Sequence, residues 1–226
     1  GFKIYKTSNS DSSLERNLEE RIKLIEIYEN SNICVFTGNS SNGKYHDNNV
    51  YIWDDSKGKV VSILRFCNIV QRFKFKKDRL IVSTDKKIYL FEFPSLKFIE
   101  IIENIRNQYG IFALCNSPKL SNIAYLDDST IGSVVVRNFI NEKTNIIAAH
   151  NSAISYLSLS YNGLILATAS QKGTVVKLFN TVNGELLQEL RRGKDIANIS
   201  NISFSKSSNL LVVSSNKETV HIFSLS

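Results

Sequence analysis

A short apolar run returns along the chain at intervals of 38 to 48 residues. The fourth residues of six such segments lie at positions 5, 53, 91, 137, 179 and 223, which are 48, 38, 46, 42 and 44 residues apart. Each segment is rich in β-branched or aromatic residues, is too short for a helix and is bounded by Gly, Asn, Asp or Ser, which predicts a β-strand. The six segments read FKIY, VYIW, IYLF, VVVR, VKLF and VHIF.

Further apolar runs flank these segments, so each repeat holds about four strands. The runs that precede them lie at 33–36, 80–82, 123–126, 164–169 and 210–213, with an earlier amphipathic run such as ISYLSL at 154–159 and a later one such as LLQEL at 186–190. Four short strands in about 40–45 residues is the period of a β-propeller blade. Blades stacked around an axis cover faces that a single blade leaves exposed. We therefore predict an all-β, WD40-like β-propeller.

The length decides how much of a ring is present. At this period the 226 residues make roughly five blades, whereas seven need roughly 280–315 residues. We predict one propeller domain over residues 1–226, incomplete at both ends, from the third strand of blade 1 to the third strand of blade 6. Gly stands at position 1 and Met is absent, so we expect that the natural start is missing and that the chain is a fragment or a processed form. We expect a charged inter-blade connection at 14–21 and a polar loop at 38–49.

Composition places the chain among folded soluble proteins. Hydrophobic residues make up 42% and charged residues 22%, which is enough apolar material for a core. No run approaches the roughly 20 apolar residues of a membrane span, and no secretory leader opens the chain. Cys34, Cys67 and Cys115 form no CxxC pair, so we expect three buried thiols in a reducing compartment. The net charge of +7 favours an anionic partner without naming it.

No catalytic motif is recognisable, so we predict that the protein is not an enzyme. There is no GxSxG, HExxH, GxGxxG or P-loop motif among the 226 residues. The acid pairs Asp54-Asp55 and Asp127-Asp128 lie where predicted strands turn, and we interpret them as solvated turn residues. We predict no metal site and no cofactor.

The candidate chemistry lies around two adjacent arginines, Arg191 and Arg192. Neighbouring strand residues point to opposite sides, so one arginine could serve each of two separate sites. The guanidinium fork suits phosphate, although a solvated or salt-bridged pair is the simpler explanation. A pattern of Ser-x-Lys-x-Thr precedes the pair at 170–174 and follows it at 215–219. His150 has a second interpretation as a loop-bracing histidine, and His221 as a half-exposed strand residue.

These motifs together resemble one family. The stretch 148–223, with LRRG at 190–193 between the two Ser-x-Lys-x-Thr turns, is similar to the PROPPIN family, as are NNVYIWDD and FKFKKDRLIV nearer the start. The resemblance covers nearly the whole chain and implies a seven-bladed propeller that binds phosphoinositides and acts in autophagy. It implies two shallow sites on one rim, on either side of the arginine pair. Each site would take one head group of phosphatidylinositol 3-phosphate or the 3,5-bisphosphate.

The resemblance also assigns residues to each site. The first site would use His150, Ser170, Lys172, Thr174 and Arg191. The second site would use Arg192, Ser214, Ser215, Thr219 and His221. Lys177 stands where relatives often have Arg, and Glu218 where they often have Gly, which places an acid near the second site. The membrane-inserting loop of the family would begin after Ser226.

The resemblance implies an edge-on propeller on a membrane, with two weak sites that act together through avidity. Autophagy proteins would be its partners, the protein would be a monomer, and it would be cytoplasmic and peripheral on autophagosomal, endosomal or vacuolar membranes. Replacing both arginines should abolish binding with the fold intact. Mildly acidic pH should favour binding, because a phosphate partner raises the pKa of a histidine.

Two other functions remain open. One is a WD-repeat scaffold that binds protein peptides, with a structural arginine pair. The other is nucleic-acid binding, since residues 73–77 (FKFKK) interleave aromatic rings with cations. A strand with Phe inward and Lys in solvent explains that segment equally well, and we expect no nucleic acid partner.

Overall fold

The computed structural model describes residues 1–5, 12–29, 31–76, 78–115, 117 and 122–225. Within these ranges the chain forms twenty-one β-strands and no helix, so no helix there is long and apolar enough to cross a membrane. The strands form six antiparallel sheets, each from consecutive segments of the chain. The all-β prediction is confirmed, and each sheet is one blade of a β-propeller.

The first three sheets occupy the N-terminal half of the chain. Blade 1 has two strands, and blades 2 and 3 have four each. Their strands are β1 (Phe2–Tyr5) and β2 (Ser12–Arg16); β3 (Ile22–Ile27), β4 (Ile33–Gly38), β5 (Asn49–Asp54) and β6 (Lys59–Arg65); β7 (Val70–Lys76), β8 (Arg79–Thr84), β9 (Lys87–Glu92) and β10 (Phe98–Glu103).

The last three sheets carry the candidate chemistry. Blades 4 and 5 have four strands each, and blade 6 has three. Their strands are β11 (Phe112–Leu114), β12 (Asn122–Leu126), β13 (Ser133–Asn138) and β14 (Thr144–Ala148); β15 (Ile154–Leu159), β16 (Ile165–Ser170), β17 (Val175–Asn180) and β18 (Leu186–Arg191); β19 (Ile199–Phe204), β20 (Leu210–Ser215) and β21 (Val220–Ser224). All six of the recurring segments are strands.

The core lies between the blades rather than inside any one of them. One apolar cluster fills each contact between successive blades, from blades 1 and 2 through to blades 5 and 6. Between blades 5 and 6 it contains Ala169, Val176 and Leu178 from one sheet and Leu211 and Val213 from the other. Burial of both faces of a blade requires a neighbour on each side, which explains the repeat.

Burial changes with the position of a strand in its blade. The second strand of blade 5, β16, is buried at five of its six residues, whereas the fourth, β18, is exposed at five of six. The first strands of blades 2 to 6 border a cavity of about 490 Å³. In it the Arg72 guanidinium lies 5.5 Å from the centre of the Tyr156 ring, and the Tyr156 hydroxyl donates a 2.9 Å hydrogen bond to Asn201. This network ties the inner strands of blades 3, 5 and 6 together.

Two of the local predictions are wrong. Residues 14–21 are not only a connection, because β2 runs to Arg16 and pairs with β1. The reason is that residues 12–16 pair in antiparallel register with Phe2–Tyr5 and form the second strand of blade 1. Cys67 is exposed, whereas Cys34 and Cys115 are buried, because it follows β6 outside any blade contact. The polar loop at 38–49 is present, with Gly38 and Asn49 belonging to the strands at its ends.

The interpretation of the two acid pairs also changes. Asp54 is only 7% exposed and accepts hydrogen bonds from Asn32 and Ser56. Asp55 forms a 2.7 Å ion pair with Arg16 that joins blade 2 to blade 1. Asp128 accepts two main-chain hydrogen bonds from residues 105 and 106. These acids therefore hold turns together rather than lying free in solvent.

The FKFKK segment alternates only in part. Phe73 is buried and Lys74 is exposed, as predicted. Lys76, however, is buried, and its amino group lies 3.1 Å from the sulfur of Cys115. It is buried because the end of β7 lies against blade 4. Lys77 lies outside the described residues.

Candidate functional site

The predicted site residues lie at one end of blades 5 and 6. In blade 5 the last residue of β16, Ser170, pairs with the first residue of β15, Ile154. The last residue of β18, Arg191, pairs with the first residue of β17, Val175. The turn from β16 to β17 therefore lies beside the end of β18, and the corresponding turn of blade 6 lies at the same rim. This end of the two blades is called the arginine rim below.

The turn between β16 and β17 is held by its own main chain. Gly173 has a φ of +60° and donates a 2.9 Å hydrogen bond to the carbonyl of Ser170. The amide of Ala197, in the connection to blade 6, donates a 3.1 Å hydrogen bond to the carbonyl of Lys172. A Cβ at position 173 would collide with the carbonyl of Ala197. Glycine here therefore permits both the left-handed turn and the close approach of the next blade.

Arg191 and Arg192 lie on opposite faces of blade 5. Arg191 is on the face of Lys177 and Thr168, which lies toward blade 4, while Arg192 is on the face of Leu190, which packs toward blade 6. The prediction that the two side chains point to opposite sides is confirmed. The two side chains also differ in burial: Arg191 is exposed, whereas Arg192 is only 7% exposed.

The Arg192 guanidinium is already used by the fold. Its Nε donates a 2.9 Å hydrogen bond to the carbonyl of Gly173, and one Nη donates to the carbonyl of Asp195. Its main-chain amide donates to the carbonyl of Thr174 at 2.9 Å. Arg192 thus joins the β16–β17 turn to the connection that leads into blade 6.

A polar row crosses blade 5 on the face toward blade 4. The Nε2 of His150 lies 2.9 Å from the hydroxyl oxygen of Thr168. Lys177 pairs with Thr168 across the sheet and forms a 3.0 Å ion pair with Glu189 on the outer strand. Burial, and then the nearby Lys177 ammonium, lower the pKa of His150. The row favours a neutral histidine that braces the blade, which is the second interpretation given for His150.

The first predicted site therefore lies at the contact of blades 4 and 5. Ser170 and Arg191 share the face that carries the His150 row, and the turn supplies Lys172 and Thr174 at the same rim. Ser170 is buried, whereas Lys172 and Arg191 are exposed. Over the described ranges neither of these two cations has a carboxylate within ion-pair distance. This group of five predicted residues is called the 4/5 site.

The second predicted site divides between two faces of blade 6. His221 pairs with Val213, which packs against blade 5, and Thr219 and Ser215 belong to the same face by alternation. The Nε2 of His221 lies 3.3 Å from the Thr219 hydroxyl oxygen. Together with Arg192 these residues form the 5/6 site. Ser214 lies on the other face, where its hydroxyl is 3.0 Å from that of Ser200.

The two Ser-x-Lys-x-Thr turns are alike in sequence but differ in geometry. Ala169 pairs with Val176, and Ser214 pairs with Val220, so residues 170–175 join the strands in blade 5 and residues 215–219 in blade 6. The connection in blade 6 is therefore one residue shorter, and it carries Glu218 in the left-handed region at a φ of +56°. The sequence pattern could not reveal this difference, because it aligned Thr174 with Thr219.

Comparisons with known proteins agree with this architecture. The family model described as PROPPIN matches residues 1–226. The chain is 34% identical to autophagy-related protein 18e of Arabidopsis thaliana, over all of this chain and 61% of that protein. It is 37% identical over 172 residues to WD repeat domain phosphoinositide-interacting protein 2 of Gallus gallus, over 75% of this chain and 39% of that protein.

Solved structures show the same fold. Hsv2 of Kluyveromyces lactis superposes with a TM-score of 0.84 at 24% identity, over 99% of this chain and 68% of that one. KlAtg21, in its complex with the coiled coil of AgAtg16, gives 0.79 at 22% identity over 96% and 70% of the two chains. The structure shows a β-propeller, and the family model matches the whole chain, so the chain belongs to the PROPPIN family of β-propellers. It spans about three fifths of the length of the Arabidopsis relative.

Proposed function

We propose that this chain is a non-enzymatic phosphoinositide effector that binds membranes through the arginine rim. One observation carries the proposal: Arg191 and Lys172 are exposed at one rim, beside the hydroxyls of the 4/5 site, with no carboxylate partner in the described part of the chain. A planar guanidinium and an ammonium with nearby hydroxyls suit the phosphate of a lipid head group. The name of the Gallus gallus relative supports the same ligand class.

We propose that the 4/5 site and the 5/6 site each bind one head group of phosphatidylinositol 3-phosphate or of the 3,5-bisphosphate. Two weak sites on one rigid body give avidity, because the second binding event is intramolecular. The net charge of +7 adds a screened attraction to any anionic membrane. The protein would thus be cytoplasmic and peripheral on autophagosomal, endosomal or vacuolar membranes.

We further propose that the domain spans residues 1–226 from the third strand of blade 1 to the third strand of blade 6, acts as a monomer and recruits autophagy proteins. KlAtg21 shares this fold and forms a complex with the coiled coil of AgAtg16, which supports a protein partner for this chain as well. That complex also favours the second candidate, a propeller scaffold that binds protein segments. The two candidates are compatible, because a rim site leaves the other surfaces of the propeller free.

Liposome flotation tests the proposal. Vesicles carry phosphatidylinositol 3-phosphate, or phosphatidylserine at matched charge, at physiological salt. We expect selective flotation with the phosphoinositide and sharply weaker flotation of Arg191→Ala, which keeps only the 5/6 site. Lys97→Ala is the control, because Lys97 is an exposed cation in blade 3 with no ion pair among the described residues. Equal flotation with both lipids would mean that net charge alone accounts for binding, and it would overturn the phosphoinositide specificity. No flotation with either lipid would overturn the proposal and leave the scaffold.

A further inference from the structure

The 4/5 and 5/6 sites differ in the cations they offer. The 4/5 site has two exposed cations, Arg191 and Lys172. The arginine of the 5/6 site is buried, and two main-chain carbonyls already accept hydrogen bonds from its guanidinium. Binding of a phosphate by Arg192 would compete with contacts that hold the β16–β17 turn in place. The turn of the 5/6 site carries the exposed Lys217 as the counterpart of Lys172. The 5/6 site therefore offers one exposed cation where the 4/5 site offers two, and it is the poorer in available positive charge.

The turn of the 5/6 site adds a negative charge that the other turn lacks. Gly173 takes the left-handed position in blade 5 at a φ of +60°, and Glu218 takes it in blade 6 at +56°. Glu218 is exposed and forms no ion pair within the described ranges. It directly precedes Thr219, whose hydroxyl lies 3.3 Å from the ring of His221. Glu218 therefore adds a carboxylate to the same turn that carries Thr219, one of the groups that would hold the head group.

We propose that Glu218 makes the two sites unequal and is the specificity-determining residue of the 5/6 site. This inference rests on the proposed function. The 4/5 site fills first, and the 5/6 site fills only where phosphoinositide is dense in the membrane. Repulsion grows with the charge of the head group, so the 5/6 site discriminates against the 3,5-bisphosphate in favour of the monophosphate. The protein thereby acts as a sensor of lipid density rather than as a symmetric two-site clamp.

Three variants separate charge from backbone geometry. Glu218→Gln removes the charge and keeps the left-handed residue, while Glu218→Gly removes both the charge and the side chain. Glu142→Gln is the matched control. Glu142 is an exposed glutamate with a φ of +55°, and it lies in the turn between β13 and β14, at the opposite end of the strands.

The measurement is calorimetric titration of the full chain with soluble short-chain phosphatidylinositol 3-phosphate and with its 3,5-bisphosphate. For the wild type we expect two events whose dissociation constants differ by about tenfold, which corresponds to about 1.4 kcal/mol. Glu218→Gln should tighten the weaker event by roughly threefold or more, and more for the bisphosphate than for the monophosphate. Arg191→Ala should remove the tighter event and leave the weaker one.

The outcomes separate this inference from the proposed function. Two equal events in the wild type would overturn it, as would equal effects of Glu218→Gln and Glu142→Gln. A gain in Glu218→Gly without one in Glu218→Gln would assign the effect to the backbone and would also overturn it. No binding of either lipid, in titration and in flotation alike, would instead refute the proposed function itself.

Discussion

The Nε of Arg192 donates a 2.9 Å hydrogen bond to the carbonyl of Gly173, and this contact links the arginine motif to the turn of its own blade. A charged hydrogen bond to a buried acceptor stabilises a fold by roughly 1.5–3 kcal/mol. We therefore expect Arg192→Ala to lower the free energy of unfolding by about that amount. Arg191→Ala, at an exposed position, should change it by less than about 0.5 kcal/mol. Urea unfolding of the two variants checks the difference.

This expectation changes the interpretation of the double arginine variant. If Arg192 holds the turn, loss of lipid binding in the double variant reports on folding as well as on contact with phosphate. Arg191→Ala alone is therefore the cleaner test of the 4/5 site. Equal unfolding midpoints for the two single variants would show that Arg192 is not structural.

The turn glycine of blade 5 can be compared with a second glycine. Gly58 also has a φ of +60°, but a Cβ there would have no atom within 4 Å, whereas at Gly173 it would collide with the carbonyl of Ala197. We expect Gly58→Ala to cost roughly 1 kcal/mol, which is the cost of the left-handed backbone alone. Gly173→Ala should cost roughly 1–3 kcal/mol more. Thermal and urea unfolding measure both, and equal losses would contradict the close approach of blade 6.

His150 should give the folded protein a pH dependence. Its pKa in the folded state is lowered by burial, whereas in the unfolded chain it is about 6.5. Between these two values the unfolded state binds more protons, so the free energy of unfolding falls as the pH falls below about 6.5. His150→Gln should show a smaller slope from pH 7 to pH 5.5. Identical slopes would place the titrating group elsewhere.

A phosphate bound at the 4/5 site should raise the pKa of His150, whereas burial in the free protein lowers it. An anionic head group raises the pKa of a nearby histidine, so binding should tighten as the pH falls from 7.5 to 5.5. The increase should be lost in His150→Gln. A binding curve that is flat over this interval would count against contact between His150 and the lipid.

The connection between the two sites exposes Ile196. Its side chain is 67% exposed, and Arg192 holds the adjacent carbonyl of Asp195. If the arginine rim faces the bilayer, Ile196→Asp should weaken vesicle binding several-fold while leaving soluble lipid binding unchanged. Ile140, also 67% exposed but in the turn at the other end of blade 4, is the matched control. Equal effects of the two substitutions would refute the orientation.

The cysteines should react with a thiol reagent at two rates, one for the exposed side chain and one for the two buried side chains. Cys67 is exposed, whereas Cys34 and Cys115 are buried. Burial also raises the pKa of Cys34, which disfavours its reactive thiolate. A thiol reagent should therefore modify one cysteine quickly and the other two only on unfolding. Cys67→Ser should abolish the fast phase.

The repeat of apolar runs determined the fold class, because alternation and spacing are local properties of the sequence. It also placed the arginine pair on opposite faces, since neighbouring strand residues must diverge. Only the tertiary structure showed that Arg192 is buried against Gly173 and Asp195. These partners lie in the β16–β17 turn and in the connection to blade 6, and the repeat pattern does not predict where either segment packs.

The same limit applies to the second site and to the buried charges. Ser214 and Ser215 look equivalent in the sequence, but the register of β20 sends Ser214 to the face away from blade 5. Lys76 follows the pattern of an exposed residue, yet blade 4 covers it. Periodicity gives the direction of a side chain within its own strand. What lies opposite that side chain depends on how neighbouring blades pack, and only the folded chain decides it.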